Sequence, residues 1–346
     1  MLERLEGKGM NDKIDVVIPW VDGSDPEWLK EKNEWYMRLN PDKESNSNNR
    51  YQSWDNLKYW FRAIEKFFPW INNVFFVTWG HVPEFLNKNC EKLKIVKHTD
   101  FIPERYLPTF NINTIEMNIH RIEELSENFI YFNDDMFPLG NAGMEYYFIN
   151  NEVCDEAVET PIIPMITGEI SKYTWNMRAL DIAVINRNFN KRAVQEAARE
   201  KWFNECYEEL LERNESLAMW NNFVGFRDPH VPSAFKKSSF AKVWEREGEV
   251  LEKTCISKFR NMDCVNQWLV RYWQLCEGNF SPRRTLGKSY TVTIDNYKEI
   301  AEIIRKQEQP VICINEECSM EEFEIIKSEI NGALEYILPE KSLFEI

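Results

Sequence analysis

The sequence predicts an α/β protein: a mostly parallel, doubly wound sheet, a helical insertion or lid, and a C-terminal return to the core. Three observations support this. Short apolar runs alternate with helix-patterned segments over residues 14 to 150. Long helical patterns surround loops from 151 to 290, and a strand-then-helix pattern resumes over 291–346.

Ile14-Asp15-Val16-Val17-Ile18-Pro19-Trp20-Val21 is a continuous apolar run ended by Asp22-Gly23-Ser24-Asp25-Pro26, a buried first strand opening into a turn. Pro26-Glu27-Trp28 then starts a helix. Lys43 to Asn49 is rich in Asn and Ser and reads as a mobile loop. Trp54, Leu57, Phe61, Ile64 and Phe68 recur at spacings of three and four, the apolar stripe of a helix that Pro69 closes. Val74 to Thr78, Leu93 to Val96 and Phe129 to Phe132 are further strands, and Asn113 to Ile122 has a helical pattern. In the insertion, Asn188 to Arg213 and Asn261 to Glu277 are predicted helices. Val311 to Ile314 is a last strand, after which Met320, Phe323, Ile326, Ile330 and Leu334 mark one helix face. There is no internal repeat.

With 346 residues, 43% of them hydrophobic, the chain has material for a large core, which argues against a disordered chain. A net charge of -15 argues against binding to nucleic acid or to an anionic membrane, which reward clustered Lys and Arg. Handling phosphates on so acidic a chain requires a metal ion or a few placed Arg residues. No apolar stretch reaches membrane-spanning length, and Met1 to Lys13 lacks the apolar centre of a secretory signal, so the expected location is cytoplasmic. The scattered Cys residues include no zinc-type C-x-x-C pair and are expected to be free thiols.

Candidate chemistry lies at strand ends. Phe129-Ile130-Tyr131-Phe132-Asn133-Asp134-Asp135 is a hydrophobic strand ending in an amide and two carboxylates, hard oxygen donors suited to Mg²⁺ or Mn²⁺ beside a diphosphate. The alternative is a polar turn leaving the core. Asp22 with Asp25, and Asn315 with Glu316, stand at other strand ends and would share one rim in a doubly wound sheet. Neither a G-x-G-x-x-G nor a P-loop pattern is present, which weakens dehydrogenase and P-loop readings. His230, between Pro229 and Pro232, is the leading candidate for a base; a structural His is the alternative. His120, beside Arg121, is the next candidate, and His81 and His98 read as loop residues. Arg50, Arg62 and Arg260 have guanidinium groups suited to phosphate oxygens, or are solvated charges.

Four blocks together resemble the Stealth family of sugar-phosphate transferases. The first is Ile14 through Pro26, and the second runs from Arg50 through Gly140, with Leu57 to Trp70, Leu107 to Asn111, Ile119-His120-Arg121-Ile122 and the Asn-Asp-Asp tip. The third is His230-Val231-Pro232 with the following helix and Phe259-Arg260, where Lys236 and Lys237 have no assigned role. The fourth is Cys313-Ile314-Asn315-Glu316, with Glu316 where the family usually has Asp.

The resemblance implies transfer of a hexose 1-phosphate from a UDP-sugar donor to a hydroxyl of a glycan acceptor, releasing UMP, in capsule or surface polysaccharide synthesis. It implies a GT-A-like nucleotide-sugar-binding core over 1–150, an acceptor region carrying His230 over 151–290, and a C-terminal segment over 291–346. Asp134 and Asp135 would hold Mg²⁺ or Mn²⁺ with Asn133 or Glu316 nearby. His230, Asp135 and Arg260 would form the catalytic set, His230 as general base. Asp22 and Gly23 would meet the nucleotide, and Arg62, Arg121 and Arg260 the phosphates or donor. Two rivals stay open at this point: a metal-dependent glycosyltransferase releasing UDP, and a noncatalytic carbohydrate-binding protein that stacks sugars on its 13 Trp and 13 Tyr. The helix from Met320 is a candidate for peripheral membrane contact, although Glu321, Glu322, Glu324 and Glu329 favour packing on the core.

Overall fold

Residues 13–39, 53–163 and 169–346 are described by the computed structural model; the Lys43–Asn49 loop and Arg50 lie outside them. Ile14–Trp20 (β1) is buried up to Ile18 and beyond, as expected of a parallel strand covered on both faces. Its one charge, Asp15, is fully buried and satisfied: its carboxylate accepts from Asn72 Nδ2 (2.7 Å), Asn73 N (3.0 Å) and Ser126 N (2.8 Å). After the turn come Pro26–Leu39 (α1) and Leu57–Phe67 (α2), then the strands Val74–Thr78 (β2) and Leu93–Lys97 (β3). His98–Phe101 (α3) and Ile112–Asn118 (α4) lead to Asn128–Tyr131 (β4). Met136–Pro138 (β5), Phe148–Ile149 (β6) and Glu152–Asp155 (β7) follow. The next helices are Glu169–Asn188 (α5), Lys191–Ala197 (α6), Arg199–Trp202 (α7) and Leu211–Leu217 (α8). Ser233–Lys236 (β8) precedes Lys237–Ile256 (α9) and Gln267–Cys276 (α10). The chain closes with Phe280–Pro282 (β9), Lys288–Val292 (β10), Tyr297–Lys306 (α11), Val311–Glu316 (β11) and Met320–Ile337 (α12).

The central sheet has the order β3-β2-β1-β4-β8, parallel except for β8. The chain therefore leaves β1 in one direction and returns on its other side at β4, which makes the gap between their carboxyl ends a topological switch point. Pro19 opens that gap. Val17 O accepts from Phe132 N, so residue 17 and, two along, residue 19 face β4, and Pro19 has no N–H to extend the ladder. Pairing to β2 continues to Trp20, whereas pairing to β4 stops at Val17.

Two smaller sheets, β10-β11-β5 and β6-β7-β9, complete the molecule. The predicted helical insertion is therefore threaded with strands, and β8 is the fifth strand of the main sheet. The expected Asn188–Arg213 helix is broken. Asn190 Oδ1 accepts from Ala193 N and Asn204 Oδ1 from Cys206 N, starting fresh helices, while Ala198, Phe203 and Glu208 leave helical geometry. The expected Asn261–Glu277 helix begins only at Gln267, where Asn266 caps it. All eight Cys are free, as expected.

The helix from Met320 packs on the core through Phe323, Ile326, Ile330 and Leu334, which is against a membrane-contact role for that face; Met320 itself is exposed. Among the described residues, no helix is long and apolar enough to cross a membrane. Arg62 belongs to this C-terminal packing, a correction to its expected place among phosphate contacts. Its guanidinium donates to Glu345 through Nε and Nη2, both at 2.9 Å, and to Leu338 O at 2.8 Å. The two side chains are 8% and 4% exposed, and each guanidinium nitrogen already bonds within the protein. Arg62→Ala should lower the unfolding free energy by about 3–5 kcal/mol, as for a broken buried ion pair. Urea denaturation measures this, and a stability within error of wild type would show that the C-terminal segment does not depend on the pair.

Candidate active site

The tip between β4 and β5 is shaped by backbone hydrogen bonds. Phe132 N donates to Val17 O at 2.9 Å, Met136 N closes the turn onto Asn133 O at 3.2 Å, and Asp135 O accepts from Ile314 N at 2.9 Å. The side chains of Asn133, Asp134 and Asp135 are left to face the switch-point crevice. Asp134 is exposed, and Asn133 and Asp135 are half-buried.

Two ladders bring distant residues to this tip. In the β4–β8 pairing Tyr131 lies opposite Ser233, so extending the register sets His230 beside Asp134. Asn133 Nδ2 is in fact 3.4 Å from His230 Nε2. In the β5–β11 pairing Met136 lies opposite Cys313, and strand periodicity turns Cys313 and Asn315 to the same face. Cys313 Sγ is 3.5 Å and Asn315 Nδ2 3.4 Å from His230 Nδ1. Glu316 ends the strand, accepting from Trp54 Nε1 at 3.1 Å.

His230 has φ 50, a left-handed conformation that costs about 1–3 kcal/mol and persists only where the surroundings impose it. Asp228 imposes it. Its carboxylate, 2% exposed, meets Arg178 Nε at 2.8 Å and Arg271 Nη1 at 3.0 Å, and accepts from Tyr272 Oη at 2.6 Å. Arg271 is itself fixed by Asp155, with two bonds of 2.8 Å. Arg260 stands close enough for its charge to act on both His230 and Glu116, and its Nε is buried without a hydrogen-bond partner. The segment carrying it is held by Phe259, which stacks on Phe110 (5.3 Å) within a small aromatic cluster with Trp28.

Asp22 and Gly23 lie in the turn after β1, on the same rim as the tip. Asp22 Oδ1 accepts from Ser24 N and Oγ, at 2.8 and 2.6 Å. His81, read from sequence as a loop residue, organises this turn. Its Nε2 accepts from Asp22 N at 2.7 Å and its Nδ1 faces Asp25 Oδ2 at 3.5 Å.

Electrostatically the tip is a concentration of negative charge. Burial, with Asp135 and Glu316 adding repulsion, pushes the Asp134 carboxyl up to about 7. Burial and Glu316 push Asp135 up to about 7 against a hydrogen bond from Cys313, and burial raises Glu316. Burial lowers His230, with Asp228 opposing the shift and Arg260 reinforcing it, which favours the neutral ring, the form able to accept a proton.

The tip offers hard oxygen donors of the kind Mg²⁺ or Mn²⁺ takes: Asp135 Oδ1 is buried with no hydrogen-bond partner, and Asp134 and Glu316 stand near enough for charge to be felt among the three carboxyls.

The structure thus gathers Asn133, Asp134, Asp135, His230 and Glu316, sets Arg260 alongside, and puts Asp22 and Gly23 on the shared rim. Arg121 is a second correction. Its Nε donates to Asn118 at 2.9 Å, its guanidinium lies over Trp244, and it precedes the amino end of β4, opposite the tip. His120 packs against Phe240 and Trp244 and is lowered to about 4 by burial. Lys237 donates to the carbonyls of Ile122, Glu123 and Leu125. Cys313, Asp228 and His81 were not expected at the site. Cys313 was legible in one respect: it is two residues from Asn315 on one strand face.

This is a mixed α/β enzyme of the sugar-phosphate transferase class. Residues 12–35 and 50–155 match the models of Stealth protein conserved regions 1 and 2. The capsular polysaccharide phosphotransferase WcwK of Streptococcus pneumoniae is 39% identical over 96% of this chain and 98% of its own. The exopolysaccharide phosphotransferase cps2G of Lactiplantibacillus plantarum is 36% identical over 96% of both chains. The receptor polysaccharide phosphotransferase WefC of Streptococcus oralis is 34% identical over 97% of this chain and all of its own. The chain belongs to the Stealth family.

A carboxyl raised in the folded state binds more protons folded than unfolded between its ordinary pKa, near 3.8, and about 7. Unfolding free energy therefore falls as pH rises through that window. In metal-free buffer, Asp135→Asn should fall less steeply than wild type between pH 5 and about 7. Denaturant titrations at several pH values give both slopes, and equal slopes would mean that Asp135 is not strained by its neighbours.

Proposed function

We propose that this enzyme transfers a hexose 1-phosphate from a UDP-sugar to a hydroxyl of an acceptor glycan during synthesis of a capsule or other surface polysaccharide. The observation carrying this reading is His230 beside a crowded acidic tip, both at the switch-point crevice of a parallel sheet. The names of the relatives, phosphotransferases of capsular, exo- and receptor polysaccharide, support the direction of transfer.

On this reading the core up to about residue 150 is a GT-A-like nucleotide-sugar half. Asp22 and Gly23, at the end of β1, meet the nucleotide. Asp134 and Asp135, with Asn133 and Glu316, hold Mg²⁺ or Mn²⁺, which when bound offsets diphosphate charge and anchors the donor. Arg260 adds a fixed positive charge whose buried Nε is free to donate to a phosphate oxygen. His230 takes the proton of the acceptor hydroxyl. That oxygen attacks the phosphorus bearing the sugar, the phosphoanhydride bond breaks, UMP leaves, and the anomeric bond stays intact in the new phosphodiester.

The same acidic tip would serve a glycosyltransferase, so the nucleotide product decides between them. Screening UDP-sugars with Mg²⁺ and acceptor glycan, followed by ion-exchange chromatography, should show UMP whose appearance stops with a chelator; UDP in its place would overturn the proposal. Under the same conditions His230→Ala should lower turnover by about 10²–10⁴-fold, the usual contribution of a general base. Retention of wild-type turnover would remove His230 from that role.

A further inference from the structure

The oxygen-rich tip accounts for one side of His230, and the other side faces sulfur. Cys313 Sγ lies 3.5 Å from His230 Nδ1. One ligand atom each from Asp135, His230 and Cys313 lies within 4.8 Å of the other two. Their chain segments are fixed by separate ladders: Asp135 O accepts from Ile314 N, Cys313 pairs opposite Met136, and His230 leads into β8. Cys313 is buried, while Asp135 and His230 are partly open, so an ion has a way in.

A carboxylate, an imidazole and a thiol are not a magnesium set. Sulfur and nitrogen donors in a tetrahedral arrangement suit zinc and its chemical neighbours. Bonds of about 2.0–2.3 Å to a tetrahedral zinc bring its ligand atoms to about 3.3–3.8 Å from one another, so this triangle needs to tighten by about 1 Å. Side-chain rotation at the partly open members supplies that.

We propose that Asp135, His230 and Cys313 form a seat for a zinc-class cation that competes with the hard divalent ion and silences the enzyme. Binding exchanges the thiol S–H bond for an S–metal bond and sends the proton to solvent; no electron is transferred. Occupancy removes Asp135 from the oxygen set and ties up the imidazole of His230. The effect on turnover rests on the function proposed above, but the binding does not.

Titration of the purified full chain with Co²⁺, a spectroscopic stand-in for zinc, separates the two. The expected result is a thiolate-to-cobalt charge-transfer band in the near ultraviolet with strong tetrahedral visible bands, all displaced by Zn²⁺. Cys313→Ser and Cys313→Ala, each with an unchanged far-ultraviolet spectrum, should lose the charge-transfer band. Glu316→Gln, which touches only the oxygen set, should keep it. Half-inhibition of Mg²⁺-supported UMP release by Zn²⁺ should move to higher zinc as Mg²⁺ is raised. It should require at least about 10-fold more zinc in Cys313→Ser, since changes even around metal ligands cost 10–100-fold. A charge-transfer band that survives both Cys313 variants, a six-coordinate cobalt spectrum, or zinc inhibition indifferent to Mg²⁺ would overturn the proposal. If no UDP-sugar gives UMP, the function falls, and the cobalt spectra still decide whether the seat exists.

Discussion

Everything at the crevice depends on a corner. Within eleven residues the chain leaves β4 of the main sheet, turns through Asn133, Asp134 and Asp135, and enters β5 of a second sheet. Each arm is locked by an antiparallel partner from the other half of the sequence: β8 on β4 and β11 on β5. A slip of one residue in either ladder would turn the partner's side chains to the opposite face. The first slip would remove His230, and the second would remove Cys313 and Asn315. The geometry of the crevice is thus a consequence of strand register before it is a matter of side-chain chemistry.

Buried charge is used in two opposite ways. Behind His230, the Asp228, Arg178, Arg271 and Asp155 network pairs charges, and in the insertion Lys191 meets Glu159 at 2.8 Å with both side chains fully buried. Such pairs return part of what desolvation costs and lose much more when one partner is removed. At the tip the carboxylates are crowded together, and Asp135 Oδ1 lacks any partner. Strain of that kind is retained where a ligand relieves it. The paired network keeps the backbone from relaxing away from the unpaired one, because it anchors the left-handed His230 and the helices packed behind it.

The parallel strands were legible because both faces of each are covered, which forces uninterrupted apolar runs such as Val74 to Thr78. The acidic tip was legible as polar residues ending such a run. Strands of three or four residues, β5, β8 and β9, are too short for a period to register, and β8 hides behind Pro232. Its absence from the sequence reading made 151–290 look like a lid. The Asn188 to Arg213 pattern has helical spacing, but Asn190 and Asn204 are caps, and cap or interior depends on tertiary contacts. Arg62, Arg121 and Arg260 are chemically identical in a sequence. What separates them is Glu345 for the first, 283 positions away, and Asn118 with Trp244 for the second, whereas the third keeps a buried donor without a partner.

The aromatic richness of the chain argues in the same direction as the corner. Trp60 and Trp202 are fully buried, and Trp28, Phe110 and Phe259 are spent on joining α1 to the segment that carries Arg260. Rings committed to packing cannot stack on a sugar, so these do not make the chain a carbohydrate-binding module. They make a rigid wall instead. A rigid wall is what a crowded acidic tip requires: with Asp15 satisfied at one end of β1 and the Asp22 turn fixed by His81 at the other, the strand cannot shift to ease the carboxylates apart. The charge is then not relieved by movement of the chain.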